Sequence, residues 1–219
     1  LLLGVVALKA YPIYRGRILP ILGAMAQFPM IVIAGEFILF LPYYVTFASS
    51  VEGIGAVETT TRYPHMFIVW GAPMALVGPF IVASFWQTVV GPDWRRMTLY
   101  SLIIGFLPYA GWMVVRLQSV EVVDGPAGRL IHIFPMALLI IMGVYSAITI
   151  AKQRGASGKA FALLLATLGL LLIMGPELLY VDDFFGPPSE RMNTVFKLYY
   201  QAWLLLAVAS GFAVYYWRS

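Results

Sequence analysis

The chain contains no cysteine and little charge. Without cysteine it can form neither disulfides nor thiolate metal sites, and it has no thiol nucleophile. Asp, Glu, Lys and Arg make up only 11% of its 219 residues, against about 25% in a typical soluble domain. Apolar residues account for 61%, which excludes a soluble enzyme, a nucleic-acid-binding protein and a disordered linker. The composition is that of a protein that crosses a membrane several times.

Six stretches are long and apolar enough to cross a bilayer. A spanning helix needs about 20 predominantly apolar residues, and a segment in lipid must satisfy its own backbone hydrogen bonds. The predicted spans cover residues 19–45, 66–90, 97–117, 130–151, 160–180 and 197–217. The predicted fold class is therefore all-α, a polytopic transmembrane helix bundle of about six full spans in a single transmembrane domain over residues 1–219.

The first residues look like the end of one more helix. Leu1 to Leu8 are apolar and have no initiator Met before them, so the bundle would include a truncated first helix. Neither a basic start nor a small-residue cleavage site marks a signal peptide. The chain is expected to be the C-terminal fragment of a larger membrane protein, with the remainder of the polypeptide, N-terminal to Leu1, as its partner.

Charged residues alternate between the two sides of the predicted bundle. One set of loops holds nine of the 14 basic residues: Lys9, Arg15, Arg17, Arg95, Arg96, Lys152, Arg154, Lys159 and Arg218. The other set holds eight of the 10 acidic residues: Glu52, Glu58, Glu121, Asp124, Glu177, Asp182, Asp183 and Glu190. Basic loops are usually cytoplasmic. The sequence therefore predicts a multi-pass plasma-membrane protein whose acidic loops, and most of its chemically capable side chains, lie outside.

The densest polar segment lies between Gly175 and Gln201. Ser189 suits the N-cap of the following helix, with an acidic residue in its first turn. Spacings of i, i+4, i+7 and i+11 then align four residues on one helical face, with Asn193 at its edge: Glu190, Thr194, Lys197 and Gln201. Because lipid does not tolerate such a stripe, it should face a protein groove or a water-filled cavity.

Two interpretations of this stripe are open. It is either the ordinary polar start of an interfacial helix, with Glu190 paired to a nearby cation, or an anion-binding wall. In the second case Lys197 and Arg191 would meet a phosphate group, and Asn193 and Thr194 would orient it.

Other polar residues are also candidates. Glu36 lies inside a span, about 12 Å below its outer end. A carboxylate there is expected to be functional unless it bonds to a Tyr hydroxyl or an Arg within the bundle. Arg129 and His132 share a helical face and would either hold a diphosphate or extend to lipid headgroups. Asp182 and Asp183 offer oxygen ligands to Mg²⁺ or Mn²⁺, whereas the two histidines lack the spacing of a metal site.

A family resemblance appears at the same segment. Glu177-Leu-Leu-Tyr180-Val-Asp182, followed by Glu190-Arg-Met-Asn-Thr-Val-Phe-Lys197-Leu-Tyr-Tyr-Gln201, resembles the C-terminal signature of the YYY (Chlor_Arch_YYY) family of membrane proteins. Leu41-Pro-Tyr-Tyr-Val-Thr-Phe47 is similar to that family's middle region, so the resemblance covers most of the chain. The family has no assigned function. It groups with the GT-C glycosyltransferases, which use polyprenyl-phosphate sugars on the outer membrane face.

The resemblance implies the C-terminal membrane half of a GT-C-like glycosyltransferase, with membrane lipid and a polyprenyl-phosphate sugar as partners and no nucleic acid. Lys197, Arg191 and Arg129 would neutralise the phosphate leaving group. Asn193, Glu177 and Asp182 would bond to sugar or loop backbone, or hold a metal.

Because GT-C enzymes usually carry the catalytic acid in their first outer loop, the general base is expected outside this sequence. Two alternatives remain. If the chain is not such an enzyme, it is either a transporter or flippase, with Glu36 and Gln201 on the transport path, or a non-catalytic scaffold subunit.

Overall fold

Six helices and a two-stranded sheet make up the described part of the chain. The computed structural model describes residues 18–46, 51, 53–89, 93–117, 125–155, 157–186 and 188–218, of which 82% are helical. The elements follow in this order: α1 Ile18–Thr46, β1 Gly53–Ala56, α2 Tyr63–Thr88, α3 Trp94–Arg116, α4 Pro126–Arg154, α5 Gly158–Met174, a 3₁₀ turn Gly175–Glu177, β2 Leu179–Asp182 and α6 Met192–Arg218.

The predicted membrane helix bundle is confirmed. Five segments of the described chain are long and apolar enough to span a bilayer: α2, α3, α4, α6, and α5 together with the 3₁₀ turn that follows it, Gly158–Glu177. Helix α1 contains the shorter apolar stretch Met30–Tyr43. One boundary differs from the prediction. In the span predicted for residues 160–180, the α-helix ends at Met174. Pro176 lacks the N–H that an α-helix needs, and the chain passes through the 3₁₀ turn into β2.

The central helices α4 and α5 pack through close glycine contacts. A Cβ atom on Gly143 of α4 would lie 2.4 Å from the Thr167 hydroxyl oxygen of α5, and one on Gly169 of α5 would lie 2.8 Å from the Leu206 side chain of α6. Without a hydrophobic force between helices in lipid, such small residues allow the close packing that holds a bundle together. In contrast, the described side chains between Met30 and Tyr43 of α1 are exposed, apart from Gly35.

The helix termini define two ends of the bundle. At the sheet end, where α2, α4 and α6 begin, β1 pairs antiparallel with β2 and Gly55 lies opposite Tyr180. A Cβ atom on Gly55 would lie 2.2 Å from the Tyr180 ring, so the close approach of ring and strand requires glycine there. The other end, called the basic end, carries Arg95, Arg96, Lys152, Arg154, Lys159 and Arg218.

Some sequence predictions lie outside the described residues. They concern the truncated first helix at Leu1 to Leu8 and six charged loop residues: Lys9, Arg15, Arg17, Glu52, Glu121 and Asp124.

Candidate binding site at the sheet end

A buried carboxylate lies at the centre of the sheet end. Glu177 closes the 3₁₀ turn after α5, and its side chain is 2% exposed. Its Oε2 atom accepts a hydrogen bond from the backbone N–H of Thr61 at 2.7 Å. Its Oε1 atom accepts from the hydroxyl groups of Thr61 at 2.7 Å and Tyr199 at 3.3 Å. Glu177 therefore joins the segment before α2 to α6.

Arg191 completes this network from the segment just before α6. Its guanidinium group lies 3.4 Å from Glu177 Oε1 and donates to the Thr61 hydroxyl oxygen at 3.0 Å and to the Pro176 carbonyl oxygen at 3.3 Å. A quarter of the side chain remains exposed, at 25%. Arg191 thus neutralises a buried carboxylate and keeps an accessible edge.

Arg129 forms a second, fully buried set of contacts in the first turn of α4. Its guanidinium group donates to the carbonyl oxygens of Glu177 at 3.0 Å, Val57 at 2.7 Å and Glu58 at 2.7 Å. It also lies 5.2 Å from the centre of the Trp112 ring, in cation–π geometry. Arg129 is therefore not placed at the surface to meet either lipid headgroups or a diphosphate, because carbonyl groups of the irregular segment after β1 accept from it.

His132 lies one turn further along α4, in different surroundings. Its ring stacks on that of Tyr63 with centroids 4.6 Å apart, and the Tyr63 hydroxyl donates to the His132 carbonyl oxygen at 2.8 Å. Although Arg129 and His132 share a helical face, the structure buries the arginine and leaves the histidine partly exposed.

The predicted polar stripe does not line a single groove. Thr194 is buried, and its hydroxyl oxygen accepts a hydrogen bond from the backbone N–H of Val181 at 2.9 Å. Lys197 and Gln201 are exposed on the surface of α6. The reason is that β2 packs against the beginning of α6 and covers only part of the predicted face.

The start of α6 also differs from the prediction. The helix begins at Met192, so Glu190 precedes it instead of lying in its first turn. The backbone N–H of Met192 donates to the carbonyl oxygen of Ser189 at 2.9 Å, which closes a turn between Pro188 and the helix. This turn, absent from the sequence reasoning, displaces Glu190 from the helical face.

Asp183 and Asn193 bond to each other between β2 and α6. The Asn193 side-chain amide donates to Asp183 Oδ2 at 2.6 Å, and the Phe185 N–H donates to Oδ1 at 3.0 Å. The hydrogen bond from Asn193, followed by that from Phe185, lowers the pKa of the Asp183 carboxyl, and the charge of Lys197 contributes in the same direction. Asn193 is thereby engaged within the protein.

Carboxylates gather around Tyr180 on β2. Burial raises the pKa of the Tyr180 hydroxyl, and the negative charges of Asp182, Glu190 and Glu58 raise it further. Across the described residues, however, no group of three or more His, Asp or Glu side chains has an arrangement that would hold a metal ion.

Two pockets flank Met66 and Trp70 of α2, which line both. The first, called the α2–α4 groove, has a volume of about 350 Å³ and reaches His132 and Glu177. The second, called the α2–α6 pocket, has a volume of about 520 Å³ and a more polar lining: Thr61, His65, Ser189, Arg191 and Tyr199.

The pockets gather only some of the predicted site residues. Glu177, His132 and Arg191 line one or the other, whereas Lys197, Gln201, Asn193, Thr194, Asp182, Glu190, Arg129 and the α1 residue Glu36 line neither. Sequence reasoning missed Thr61, Trp70 and Tyr199. No sequence signal marks them, because their role comes from contacts between residues far apart in the chain.

Together, the apolar helices and the polar network define a polytopic membrane protein with a candidate ligand site at one end of its bundle. The sequence matches the family of uncharacterised membrane proteins DUF2298 over residues 2–206, and the chain belongs to that family. Comparison with curated proteins and with solved structures gave no match.

Proposed function

We propose that the chain forms part of the membrane domain of a GT-C-like glycosyltransferase that takes its sugar from a polyprenyl-phosphate carrier on the outer face of the plasma membrane. The observation that carries the proposal is the α2–α6 pocket, where the Arg191 guanidinium lies with His65 and the hydroxyl group of Ser189. A phosphate leaving group requires cationic and hydroxyl donors of this kind. The resemblance to the YYY family supports the same reaction class.

The hydrogen-bonded network beside the pocket carries a net positive charge. The network holds two guanidinium groups, those of Arg129 and Arg191, and one carboxylate, that of Glu177. Arg191 uses only part of its donor set on Glu177, Thr61 and a carbonyl oxygen, and an arginine side chain carries five N–H donors. Its exposed edge would bind a phosphate oxygen without breaking the internal contacts.

The remaining wall of the pocket suits the carrier's chain. Met66, Val69, Val195 and Phe196 line it beside the polar residues, and they belong to helices α2 and α6, which are long enough to span the bilayer. An isoprenoid chain would pack on these side chains while its phosphate meets Arg191 at the sheet end. The concentration of acidic loops at this end supports its placement outside the cell.

Arg191 and Lys197 form a matched pair for testing the proposal. Arg191 lies just before α6 and Lys197 lies near the start of that helix, but only Arg191 lines the α2–α6 pocket. Binding of a polyprenyl phosphate would be measured by native mass spectrometry on the protein in lipid nanodiscs. Arg191→Met should reduce the bound fraction about tenfold, and Arg191→Lys, which keeps the charge but loses the fork geometry, should reduce it less. Lys197→Met should bind within about twofold of the wild type.

The outcomes distinguish the α2–α6 pocket from the polar stripe of α6 as the phosphate site. Loss of binding in Lys197→Met alone would support the α6 stripe and contradict the pocket. Equal binding in all variants would contradict the phosphate role altogether. Thermal unfolding of each variant is the necessary control, because Arg191 also contacts the buried Glu177.

A further inference from the structure

The described charges are divided unequally between the two ends of the bundle. The basic end carries six cations and one carboxylate, that of Asp93, which gives it a net charge of +5. The sheet end carries five cations and five carboxylates, so its net charge is zero: Arg62, Arg116, Arg129, Arg191 and Lys197 against Glu58, Glu177, Asp182, Asp183 and Glu190. The basic end is therefore the end whose field attracts anions.

Most cations of the basic end are exposed and have no acidic partner. Asp93 is bonded to Lys152, and Lys159 donates to side chains of α2 and α6. The other four cations are exposed and form no ion pair with any described residue: Arg95, Arg96, Arg154 and Arg218. Their charge is available to a partner outside the chain.

Three of these arginines lie where α3 begins and α4 ends. The ion pair between Lys152 and Asp93 joins the last turn of α4 to the residue before α3. Arg95 and Arg96 follow Asp93 within three residues, and Arg154 follows Lys152 by two. This surface, called the α3–α4 corner, consists of Arg95, Arg96, Lys152 and Arg154, and it concentrates the positive charge of the basic end.

Exposed tryptophans place the basic end at the level of the lipid headgroups. Trp86, Trp94 and Trp217 are 70%, 52% and 56% exposed, and each lies within two residues of a helix terminus at this end. Such rings are typical of the interface between membrane and water. The Arg95 guanidinium lies 5.5 Å from the centre of the Trp94 ring, so cation and ring lie at the same depth.

We propose that the basic end binds the headgroups of anionic phospholipids, chiefly at the α3–α4 corner. A phosphodiester whose charge no ammonium group balances, as in phosphatidylglycerol, offers acceptors to the exposed guanidinium groups. A zwitterionic headgroup carries its own cation and gains less from the surface charge. The interfacial tryptophans favour a lipid over a soluble acidic protein. This surface lies at the end opposite the phosphate pocket, and its role does not depend on glycosyl transfer.

Competition between two lipids tests the proposal. The protein is placed in nanodiscs of equal amounts of phosphatidylglycerol and phosphatidylcholine, and the lipids that it retains are counted by native mass spectrometry. The wild type should retain phosphatidylglycerol in preference by about tenfold, and the double variant Arg95→Gln with Arg96→Gln by about twofold. Equal retention of the two lipids by the wild type would overturn the proposal.

Two exposed cations of the sheet end provide the matched control. Arg62→Gln with Lys197→Gln removes the same charge from the opposite end, and its preference should stay within about 1.5-fold of the wild type. An equal loss in both double variants would show that total charge, and not the basic end, selects the lipid. Arg95→Lys with Arg96→Lys keeps the charge and should stay within about threefold. A loss as large as that of the glutamine variant would contradict the electrostatic basis of the proposal.

Photolabelling locates the bound headgroup. A phosphatidylglycerol that carries a diazirine in its headgroup should label peptides with residues 94–96 and 152–154 about threefold more than a peptide with Arg62. Labelling confined to the sheet end would overturn the assignment. Because polyprenyl phosphate binding is tested at Arg191, failure of the lipid surface and failure of the proposed function remain distinguishable.

Discussion

Among the described residues, the buried charged side chains all lie at the sheet end of the bundle. At the sheet end, Arg129 is fully buried and Glu177 nearly so, and several of their hydrogen bonds join residues from 48 to 116 positions apart in sequence. At the basic end, Arg95, Arg96 and Arg154 are exposed. The same residue types are thus part of the folded interior at one end and of the solvated surface at the other.

The reason lies in the backbone that each end must satisfy. The segment from β1 to α2 is irregular, and its carbonyl groups at Val57 and Glu58 accept from Arg129 because no strand or helix pairs them. At the basic end, Lys159 instead donates to the side chains of Gln87 at 2.7 Å and Tyr216 at 2.9 Å. The charge count of a loop therefore does not show whether its charges support the fold.

The largest expected effect comes from removing one cation at each end. Arg129→Met would leave three carbonyl oxygens, two of them in buried hydrogen bonds, without their donor, at a cost of about 3–5 kcal/mol in the free energy of unfolding. Lys159→Met would lose only contacts between side chains near the surface, at a cost of about 1 kcal/mol or less. Thermal unfolding of both variants in the same detergent would measure the difference.

The comparison fails if the two variants unfold at the same temperature, because the buried and exposed cations would then support the fold equally. Arg129→Lys provides a control that keeps the charge. It should recover little of the stability, because an ammonium group cannot reach the three carbonyl oxygens that the planar guanidinium spans.

Composition and hydrophobic runs were sufficient to predict the membrane helices, because a long apolar segment in lipid has few alternatives to a helix. They were insufficient for β1 and β2. Leu179 to Asp182 continue an apolar run, and only the pairing with Gly53 to Ala56, more than 100 residues earlier, makes them a strand. The sequence contains both segments but gives no signal of their pairing.

The candidate site was predictable in composition but not in arrangement. Glu177 and Arg191 stand out as charged residues in an apolar chain, and the structure brings them together. Lys197 and Thr194 both lie on α6 at the predicted spacing. Their surroundings nevertheless differ, because β2 buries only Thr194. Helical periodicity shows which residues share a face and does not show what covers that face.

A smaller effect tests whether the strand pair holds the sheet end together. Gly55→Ala would place a Cβ atom 2.2 Å from the Tyr180 ring, whereas nothing lies within 4 Å of a Cβ atom on Gly53 of the same strand. Displacing the ring should cost about 1–3 kcal/mol, and Gly53→Ala should be close to neutral. Hydrogen exchange at the Val57 amide, which donates to the Leu178 carbonyl oxygen, would report the loosening. Equal exchange in the two variants would show that the Tyr180 ring can move away from Gly55 without loosening the strand pair.

The smallest effect appears only in acid and concerns a carboxylate of the sheet end. The hydrogen bonds from Asn193 and the Phe185 N–H lower the folded-state pKa of Asp183 below its ordinary value, so the ionised carboxylate stabilises the fold. That contribution is fully present above about pH 4 and is lost as the pH falls through the folded-state pKa. Unfolding temperatures of the wild type should therefore decline more steeply below about pH 4 than those of Asp183→Asn, which cannot ionise. Parallel declines would show that ionisation of Asp183 adds nothing to the stability of the fold.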